Sequence, residues 1–397
     1  MPNSHNNSTS FNESQSFKKT PVGLKVFGFF CLAGGLIVLV PTVLVCLALV
    51  EILARGEYTL ESTTATVIFY VMLAVLIAAV VLFIVLGIRL LRNKRRHAAH
   101  TAEVLIVLTI AGLLCDIMLF GLGINDIFYV AVLVILIALT SYIDPSLSEE
   151  RELQRKLRKM EDRSTAELGD QAGRDLSGKG YISLNFFNLF WIFVICCVLG
   201  LIIEVIYHFI VLGHYQDRAG LLFGPFSPIY GFGALLMTLA LNRFHNKSII
   251  LVFFVSALIG GSFEYLVSWF MEFAFGITAW DYTGTWLSID GRTNGFYMIA
   301  WGILGVAWIK LLLPLTLKLV NRIPWNLRYT LTTICAALMI LDGAMTLMSL
   351  DFWYQRSAGN SPEAPVELFF AEHFDNDYMA ERFQSMTINP ETTTRTE

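Results

Sequence analysis

Long apolar stretches separated by short polar connections dominate the chain. About 20 consecutive apolar residues are enough to cross a bilayer as a helix. The pattern therefore predicts an all-α, polytopic helical membrane protein with about nine transmembrane helices. The predicted spans lie near residues 24–54, 64–91, 102–122, 125–143, 184–213, 226–242, 248–277, 295–317 and 329–350.

Polar stretches divide this pattern into four regions. We expect 1–143 to form an N-terminal four-span membrane region of unrecognised type. Residues 144–183 are expected to be a cytoplasmic polar linker with an amphipathic helix, since Ser146 and Glu149 have the spacing of a capping box. Residues 184–356 follow as a five-span domain, and 357–397 as an acidic, largely disordered C-terminal tail.

Composition supports the membrane assignment and narrows the chemistry. Of the 397 residues, 55% are hydrophobic and only 15% are charged, whereas about 25% are charged in soluble domains. All six cysteines lie within apolar runs, so we expect neither disulfides nor a metal site. We expect no cofactor and no nucleic-acid partner.

The positions of Lys and Arg predict the orientation. Basic residues crowd the connections after every second span, and the alternate connections hold few. The positive-inside rule then predicts a multi-pass protein of the cell (plasma) membrane, with the N-terminus in the cytoplasm and the C-terminus outside. The basic connections contain Arg89, Arg92, Lys94, Arg95, Arg96, Arg151, Arg155, Lys156, Arg158, Lys159, Arg163, Arg243, Lys247, Lys318, Arg322 and Arg328.

Ionisable residues within the predicted spans are the candidate binding groups. A charge at the bilayer centre costs about 3 kcal/mol or more, so such residues usually face a protein interior or a water-filled cavity. We predict a substrate-binding role in an outward-facing polar cavity; the alternative is that these groups pair only to fix helix packing. The candidates are Glu204, His208, Glu264, Glu272 and Asp342, and Glu204 and His208 have the spacing to pair on one helical face.

A proline- and glycine-rich motif precedes the sixth predicted span. Proline lacks an N–H and disfavours helix at the residue before it, so the chain should enter that span through a non-helical turn. A re-entrant loop over a cavity and an ordinary proline-started helix both fit this pattern. The motif residues are Gly224, Pro225, Pro228, Tyr230, Gly231 and Gly233, with the solitary Arg218 upstream.

A second motif, Trp280-Asp281-Tyr282, is followed by Asp290-Gly291-Arg292. We predict a loop clamp that involves Arg218, Asp281 and Arg292, because a carboxylate and a guanidinium form strong paired hydrogen bonds. Gly291 would provide a tight turn. A ligand-binding loop and an interfacial aromatic belt are the alternatives.

Together these motifs resemble the bacterial family called putative ABC-transporter type IV. The resemblance covers roughly 185–325 and also rests on Glu264-Tyr265, Glu272 and Trp301-Gly302. It implies a permease-like domain in residues 184–356. A separate cytoplasmic ATPase subunit is then an expected partner, in addition to the lipid bilayer.

Three functions remain open from the sequence. The leading hypothesis is a transporter component that binds a polar or cationic solute, or protons, near Glu204, Glu264 and Glu272. The alternatives are a non-catalytic membrane scaffold or sensor, and a membrane-embedded enzyme that modifies an envelope or lipid substrate. The chain has no nucleotide-binding or recognisable catalytic motif, so we predict no catalytic residue and favour a protein that is not an enzyme.

Overall fold

A computed structural model describes residues 22–56, 62–143, 173–175, 180–324 and 327–395. The prediction of an amphipathic helix within 144–183 falls almost entirely outside the described residues.

Helices account for nearly all regular structure in the described ranges, which confirms the all-α prediction. The first ten α-helices of these ranges are α1 (Val22–Ala54), α2 (Thr63–Leu91), α3 (Arg95–Phe120), α4 (Asp126–Ile143), α5 (Phe186–Leu212), α6 (Pro228–Leu241), α7 (Ile249–Phe275), α8 (Gly295–Ala307), α9 (Leu313–Val320) and α10 (Arg328–Ser357). A π-helical turn, Trp308–Leu312, joins α8 to α9, and a 3₁₀ turn, Asn242–Phe244, follows α6. Two short helices, α11 (Pro365–His373) and α12 (Asn376–Arg382), then precede a 3₁₀ turn at Pro390–Thr392. Strands β1 (Ile277–Thr278) and β2 (Thr387–Ile388) form one antiparallel pair.

Local sequence explains several helix ends. The side chains of Asn185, Ser248 and Asn294 accept backbone N–H groups at the starts of α5, α7 and α8. Such capping satisfies donors that have no partner inside the helix. Gly213 and Gly276 end α5 and α7 in the left-handed conformation that glycine adopts without a steric penalty.

Seven of the helical segments in the described ranges are long and apolar enough to cross a membrane, with α8 and α9 counted as one. Each of the nine predicted spans coincides with a helix in the structure. The two that are not among the seven long apolar segments are α4 and α6, which are shorter. The 14 residues of α6 extend about 21 Å, against a hydrocarbon core of about 30 Å. This helix is short because the chain before Pro228 is not helical.

Buried apolar side chains of the described residues form three clusters. One belongs to α2–α4 and includes Leu86, Leu105 and Leu136. A second belongs to α5–α9 and includes Ile192 and Trp308. The third joins both halves of the chain with its C-terminal residues, and it includes Phe69 of α2, Met118 of α3, Phe275 of α7, Trp353 of α10 and Phe383.

The third cluster defines one end of the molecule, here called the tail face. The tail face contains the connections after α3, α5 and α7, and it also contains residues 351–395. The opposite end, here called the basic face, holds the connections with Arg92, Arg243 and Arg322. This alternation agrees with the charge pattern of the sequence. That the tail face lies outside the cell stays a prediction.

The C-terminal residues differ from the sequence prediction. Residues 358–395 are described as α11, α12 and β2 rather than as a largely disordered tail. Phe370, Phe374, Met379 and Phe383 are buried against the third cluster. The acidic composition is misleading here because these apolar side chains, in and next to two short helices, pack on residues of the third cluster.

Candidate functional site

The first motif forms a loop, residues 213–227, that turns back from the tail face along α5. The Ser227 N–H donates to the Cys197 carbonyl at 3.1 Å. At about 1.5 Å per residue, Cys197 lies about 22 Å along α5 from the end of that helix at Leu212. The loop therefore extends inward from the tail face to the depth of Cys197, where α6 begins and continues to the basic face, and we call residues 213–227 the re-entrant loop for this inward course. Pro228 then occupies the first turn of α6.

Side chains from other elements satisfy the backbone of the re-entrant loop. Leu222 N–H donates to Thr346 Oγ1 at 2.9 Å and Phe223 N–H donates to Asp342 Oδ1 at 3.2 Å, both on α10. The Leu221 and Gly224 carbonyls accept from Arg382 of α12. Non-helical backbone at membrane depth is tolerated only where such partners exist. The Asp342 carboxylate thus has a backbone partner in the structure, and its binding of substrate stays a prediction.

Arg218 of the re-entrant loop forms an ion pair with Glu204 of α5. Its Nε and Nη2 atoms lie 2.7 Å and 2.6 Å from Glu204 Oε1. The Tyr230 hydroxyl also interacts with the Glu204 carboxylate. His208 does not share this carboxylate, because its Nδ1 lies 3.0 Å from the Glu204 backbone carbonyl. The expected Glu204–His208 side-chain pair is therefore replaced by an Arg218–Glu204 pair.

Glu264 of α7 is the most enclosed of the predicted acids, with 6% of its surface exposed. Tyr282 and Thr293 donate hydroxyl hydrogen bonds to its two carboxylate oxygens, at 3.0 Å and 2.9 Å. The Trp301 indole is a further donor. Among the ion pairs of the described residues, none includes Glu264. Its charge is thus solvated by neutral donors only.

Tyr282 reaches Glu264 from the 276–294 connection, which also extends below the tail face. Glu264 lies about 16 Å along α7 from its end at Phe275. Burial, followed by the nearby Glu264 carboxylate, raises the pKa of Tyr282. The phenol therefore keeps its proton at neutral pH and remains a donor to Glu264. Its ring stacks on Tyr297 of α8 at 4.5 Å between centroids.

The second motif forms a compact turn held to α7. Arg292 pairs with Glu272, and its backbone carbonyl accepts from the Trp280 indole at 2.9 Å. Gly291 has φ +68°, and a Cβ there would lie 2.6 Å from Asp281 Oδ1. The turn thus requires glycine at this position.

The residues of the predicted loop clamp, Arg218, Asp281 and Arg292, do not pair with one another in the structure. Asp281 accepts from the Thr283 hydroxyl and backbone N–H, at 2.6 Å and 2.8 Å, rather than from Arg292. These hydrogen bonds, the hydroxyl first, lower the pKa of Asp281. Both solitary arginines, Arg218 and Arg292, instead fasten a loop to an acid on a neighbouring helix.

Glycines of the first motif and of α7 allow close helix contacts. A Cβ at Gly231 would lie 2.4 Å from Cys197 Sγ, and one at Gly233 would lie 2.9 Å from the Trp301 ring. A Cβ at Gly260 would lie 2.2 Å from Trp301 Cγ. These contacts pack α6 closely against α5 and α8, and α7 against α8, where Trp301 also lies beside Glu264.

An open groove of about 420 Å³ lies between the re-entrant loop and α12. None of the five predicted binding side chains lines this groove, so it is not a cavity built from them. Within the described residues, no group of three or more His, Cys, Asp or Glu side chains is placed to hold a metal ion. The groove is lined by Leu201, Tyr215, Asp217, Ala219, Leu222, Phe223, Gly224, Pro225, Tyr378 and Arg382.

Sequence reasoning missed several residues of this site. Thr293 and Tyr297 follow the second motif directly, and their polar side chains at the start of a span were a usable signal. Thr346 follows Asp342 by one helical turn and also faces the re-entrant loop. Arg382 was missed because its segment was predicted to be disordered.

A comparison with protein families matches part of the chain. No curated protein and no solved structure matches the chain. Residues 191–347, which contain the re-entrant loop, Glu264, the Arg292 turn and Asp342, match the family model described as Putative ABC-transporter type IV, the family that the motifs resemble.

Proposed function

We propose that this membrane protein is a transporter component in which Glu264 binds a proton or a small cation. The observation that carries the proposal is a contrast among three acids of the matched segment. Glu204 and Glu272 each have an arginine partner. Glu264 is the most buried of the three and has only hydroxyl and indole donors in the described structure.

A charge buried at Glu264 must be compensated. An unpaired carboxylate in a membrane interior is destabilised by several kcal/mol, even with neutral hydrogen-bond donors. A bound proton or cation removes that charge, and an arginine does so permanently. Glu204 and Glu272 are therefore better suited to holding loops, and Glu264 to reversible binding.

Polar neighbours of Glu264 come from a connection of the tail face. The 276–294 connection supplies two of its donors, Tyr282 and Thr293. Tyr297, which stacks on Tyr282, also interacts electrostatically with Glu204 and Glu264. Polar side chains thus lie between Glu264 and the Arg218–Glu204 pair at the re-entrant loop.

Flux measurements in liposomes test this role. Purified protein, with ATP and any ATPase that copurifies with it, is reconstituted, and H⁺, Na⁺ and K⁺ fluxes are followed with enclosed indicator dyes under an imposed potential. We expect flux with the native protein and none above empty liposomes with Glu264→Gln. Glu51→Gln is the control, because Glu51 is an exposed acid paired with Arg55 outside the matched segment.

Folding must be checked in the same samples. Glu264→Gln is nearly isosteric and keeps an acceptor for Tyr282 and Thr293, so its elution profile and melting temperature should stay close to those of the native protein. Native-like flux of any of the three ions through a folded Glu264→Gln protein would refute the assignment.

A separate ATPase subunit is the partner that we propose for the basic face. Arg243 and Lys247 are exposed in the connection between α6 and α7, within the matched segment. Affinity purification from native membranes, followed by mass spectrometry, should recover an ATPase with the native chain. Charge reversal at both residues should lose it. Recovery of the native chain without any ATPase would contradict this part of the proposal.

A further inference from the structure

The C-terminal segment, residues 365–395, is fastened to the tail face at both of its ends. Near its start, α11 and α12 bury Phe370, Phe374 and Met379 in the third apolar cluster. Near its end, β2 pairs with β1, which directly follows α7. The segment lies beyond residues 191–347, so the family match does not account for it.

Arg382 makes the most extensive polar contact of this segment. Its Nε and Nη2 atoms donate to the Leu221 carbonyl at 2.9 Å and 2.6 Å. Nη2 also donates to the Gly224 carbonyl at 2.9 Å, and Nη1 pairs with Asp217 Oδ2 at 2.6 Å. One guanidinium therefore binds three residues of the re-entrant loop.

These contacts compensate for what the loop sequence lacks. The carbonyls of a non-helical loop need donors, and a loop in a membrane protein has little water to supply them. Pro225 and Pro228 have no N–H to contribute. A guanidinium offers five N–H donors in a rigid planar arrangement, which suits several carbonyls at once.

Arg218 lies within the stretch that Arg382 holds, between Asp217 and Leu221. Asp217 is further fixed by its N–H, which donates to Gln384 Oε1 at 3.2 Å, and its own carboxylate accepts from the Ala219 N–H at 2.9 Å. The backbone on each side of Arg218 is thus tied to the C-terminal segment. The side chain of Arg218 then extends to Glu204.

We propose that the C-terminal segment is a built-in brace for the re-entrant loop, and that Arg382 is the positioning residue that keeps Arg218 on Glu204. The re-entrant loop lies within the matched residues 191–347, whereas the brace, residues 365–395, lies beyond them. This role of Arg382 does not depend on which ion or solute the protein carries.

A second anchor of the same segment supplies a matched control. Arg395 pairs with Asp351 and donates to the Ala274 carbonyl at 2.7 Å. The neighbouring Thr394 hydroxyl donates to the Met118 carbonyl of α3 at 3.0 Å. This anchor ties α3, α7 and α10 together, away from the re-entrant loop.

Cysteine labelling measures whether Arg382 holds the loop. Ala219 is 5% exposed, so Ala219→Cys, in full-length protein without its six native cysteines, should react slowly with a polar maleimide in detergent. We expect Arg382→Gln to accelerate labelling about tenfold or more, since local opening sets the rate at a buried site. Arg382→Lys, which keeps the charge but has fewer donors, should give an intermediate rate.

The control separates a local brace from general loosening. Arg395→Gln should leave the labelling of residue 219 within about twofold of the parent rate, because its contacts lie elsewhere. An unchanged rate in Arg382→Gln would overturn the proposal, as would equal acceleration by Arg382→Gln and Arg395→Gln. If Arg382→Gln does not fold, Arg382→Lys and Asp217→Asn provide the same comparison, and both must accelerate labelling.

The link to Arg218 has its own readout. If Arg382 acts through Arg218, melting temperatures of Arg382→Lys, Arg218→Gln and the double variant should be non-additive. Arg395→Gln combined with Arg218→Gln should be additive. Additivity in both pairs would show that Arg382 does not position Arg218, even if it holds the loop.

Discussion

Among the described residues, the helices α1–α4 and the helices α5–α10 differ in how many side-chain hydrogen bonds cross from one element to another; in the first region Arg89 of α2 bonds Thr101 of α3 in this way. In α3 and α4, the hydroxyls of Thr109 and Thr140 donate to carbonyls one turn earlier in the same helix, at 2.7 Å and 2.8 Å. In the second region some hydroxyls also donate within their own helix, as Thr238 does to the Ala234 carbonyl in α6 at 2.7 Å, but more of the side-chain bonds cross between elements. The Trp191 indole donates to Thr332 of α10, and the Trp308 indole donates to Thr238 of α6, both at 2.9 Å.

This difference indicates where the sequence is constrained. A hydroxyl that bonds within its own helix needs no particular neighbour, so lipid-facing residues of α1–α4 can exchange among apolar types, except where glycines such as Gly28 and Gly87 pack α1 against α2. A bond across elements requires both partners and the distance between them. We therefore expect matched substitutions to have larger effects in α5–α10 than in α1–α4.

A glycine pair tests this expectation with the largest effect. A Cβ at Gly260 of α7 would lie 2.5 Å from Trp301 Cβ, near the base of the side chain, whereas a Cβ at Gly34 of α1 meets nothing within 4 Å. Gly260→Ala should destabilise the protein by about 1–3 kcal/mol or more through overpacking. Gly34→Ala should be neutral or stabilise by up to about 1 kcal/mol, since alanine favours helix.

Thermal unfolding in detergent, followed by tryptophan fluorescence, measures both variants. A melting temperature of Gly260→Ala equal to that of Gly34→Ala would show that α7 and α8 separate easily, and the constraint inferred for the second region would fail.

An arginine pair tests the same comparison with a smaller effect. Arg292 and Glu272 expose only 12% and 25% of their side chains, whereas Arg55 and Glu51 expose 62% and 61%. Arg292→Gln leaves a partly buried carboxylate without its partner and should destabilise by about 1–3 kcal/mol. Arg55→Gln removes an exposed pair, for which about 0–0.5 kcal/mol is expected.

Chemical unfolding of the two variants provides the measurement. Glu272→Gln combined with Arg292→Gln is the control, because removal of both charges should restore part of the lost stability. Equal losses for Arg292→Gln and Arg55→Gln would mean that the Arg292 turn contributes no more than an exposed pair.

The sequence predicted the helices and one of the loops better than it predicted the partners. Apolar run length identified all nine helical positions, because hydrophobicity and helix length are local properties. Pro225 and Pro228 indicated a non-helical entry into α6, since their missing N–H groups are also local. Partners such as Arg382 for Leu221 lie about 160 residues away in the chain, and no local pattern specifies such a contact.

The C-terminal segment shows why the remainder was missed. Its acidic residues predicted disorder, although Phe370, Phe374 and Phe383 are buried in the structure. Composition describes a segment alone, whereas the stability of two short helices comes from the surface on which they pack. The same limit applies to Glu264, which was predicted as a candidate binding group but whose donors Tyr282 and Thr293 depend on the course of a connection.

Two carboxylates, one in the second motif and one at the start of α11, are expected to have the smallest effects on stability. Their contributions to stability depend on pH. Asp281 in the second motif accepts from Thr283, and Glu367 at the start of α11 accepts from the backbone N–H groups of Glu363 and Ala364. In both cases the hydrogen bonds to the charged form lower the pKa of the carboxyl group. A carboxylate whose pKa is lower in the folded protein stabilises it above the unfolded pKa, near 4 for both residue types (about 3.9 and 4.3). That stabilisation is lost as the pH falls through the folded value.

Melting temperatures of native protein, Asp281→Asn and Glu367→Gln, measured between about pH 6 and pH 2, reveal this loss. All other acids titrate alike in the three proteins, so the difference between native and variant isolates one carboxylate. We expect each variant to melt below the native protein at the upper pH, and the gap to close below about pH 4. If Asp281 instead carried a charge needed by the Arg292 turn, Asp281→Asn would also weaken the effect of Arg292→Gln. Additive effects of these two substitutions, with a gap that closes in acid, would support a role for Asp281 that is confined to its own turn with Thr283.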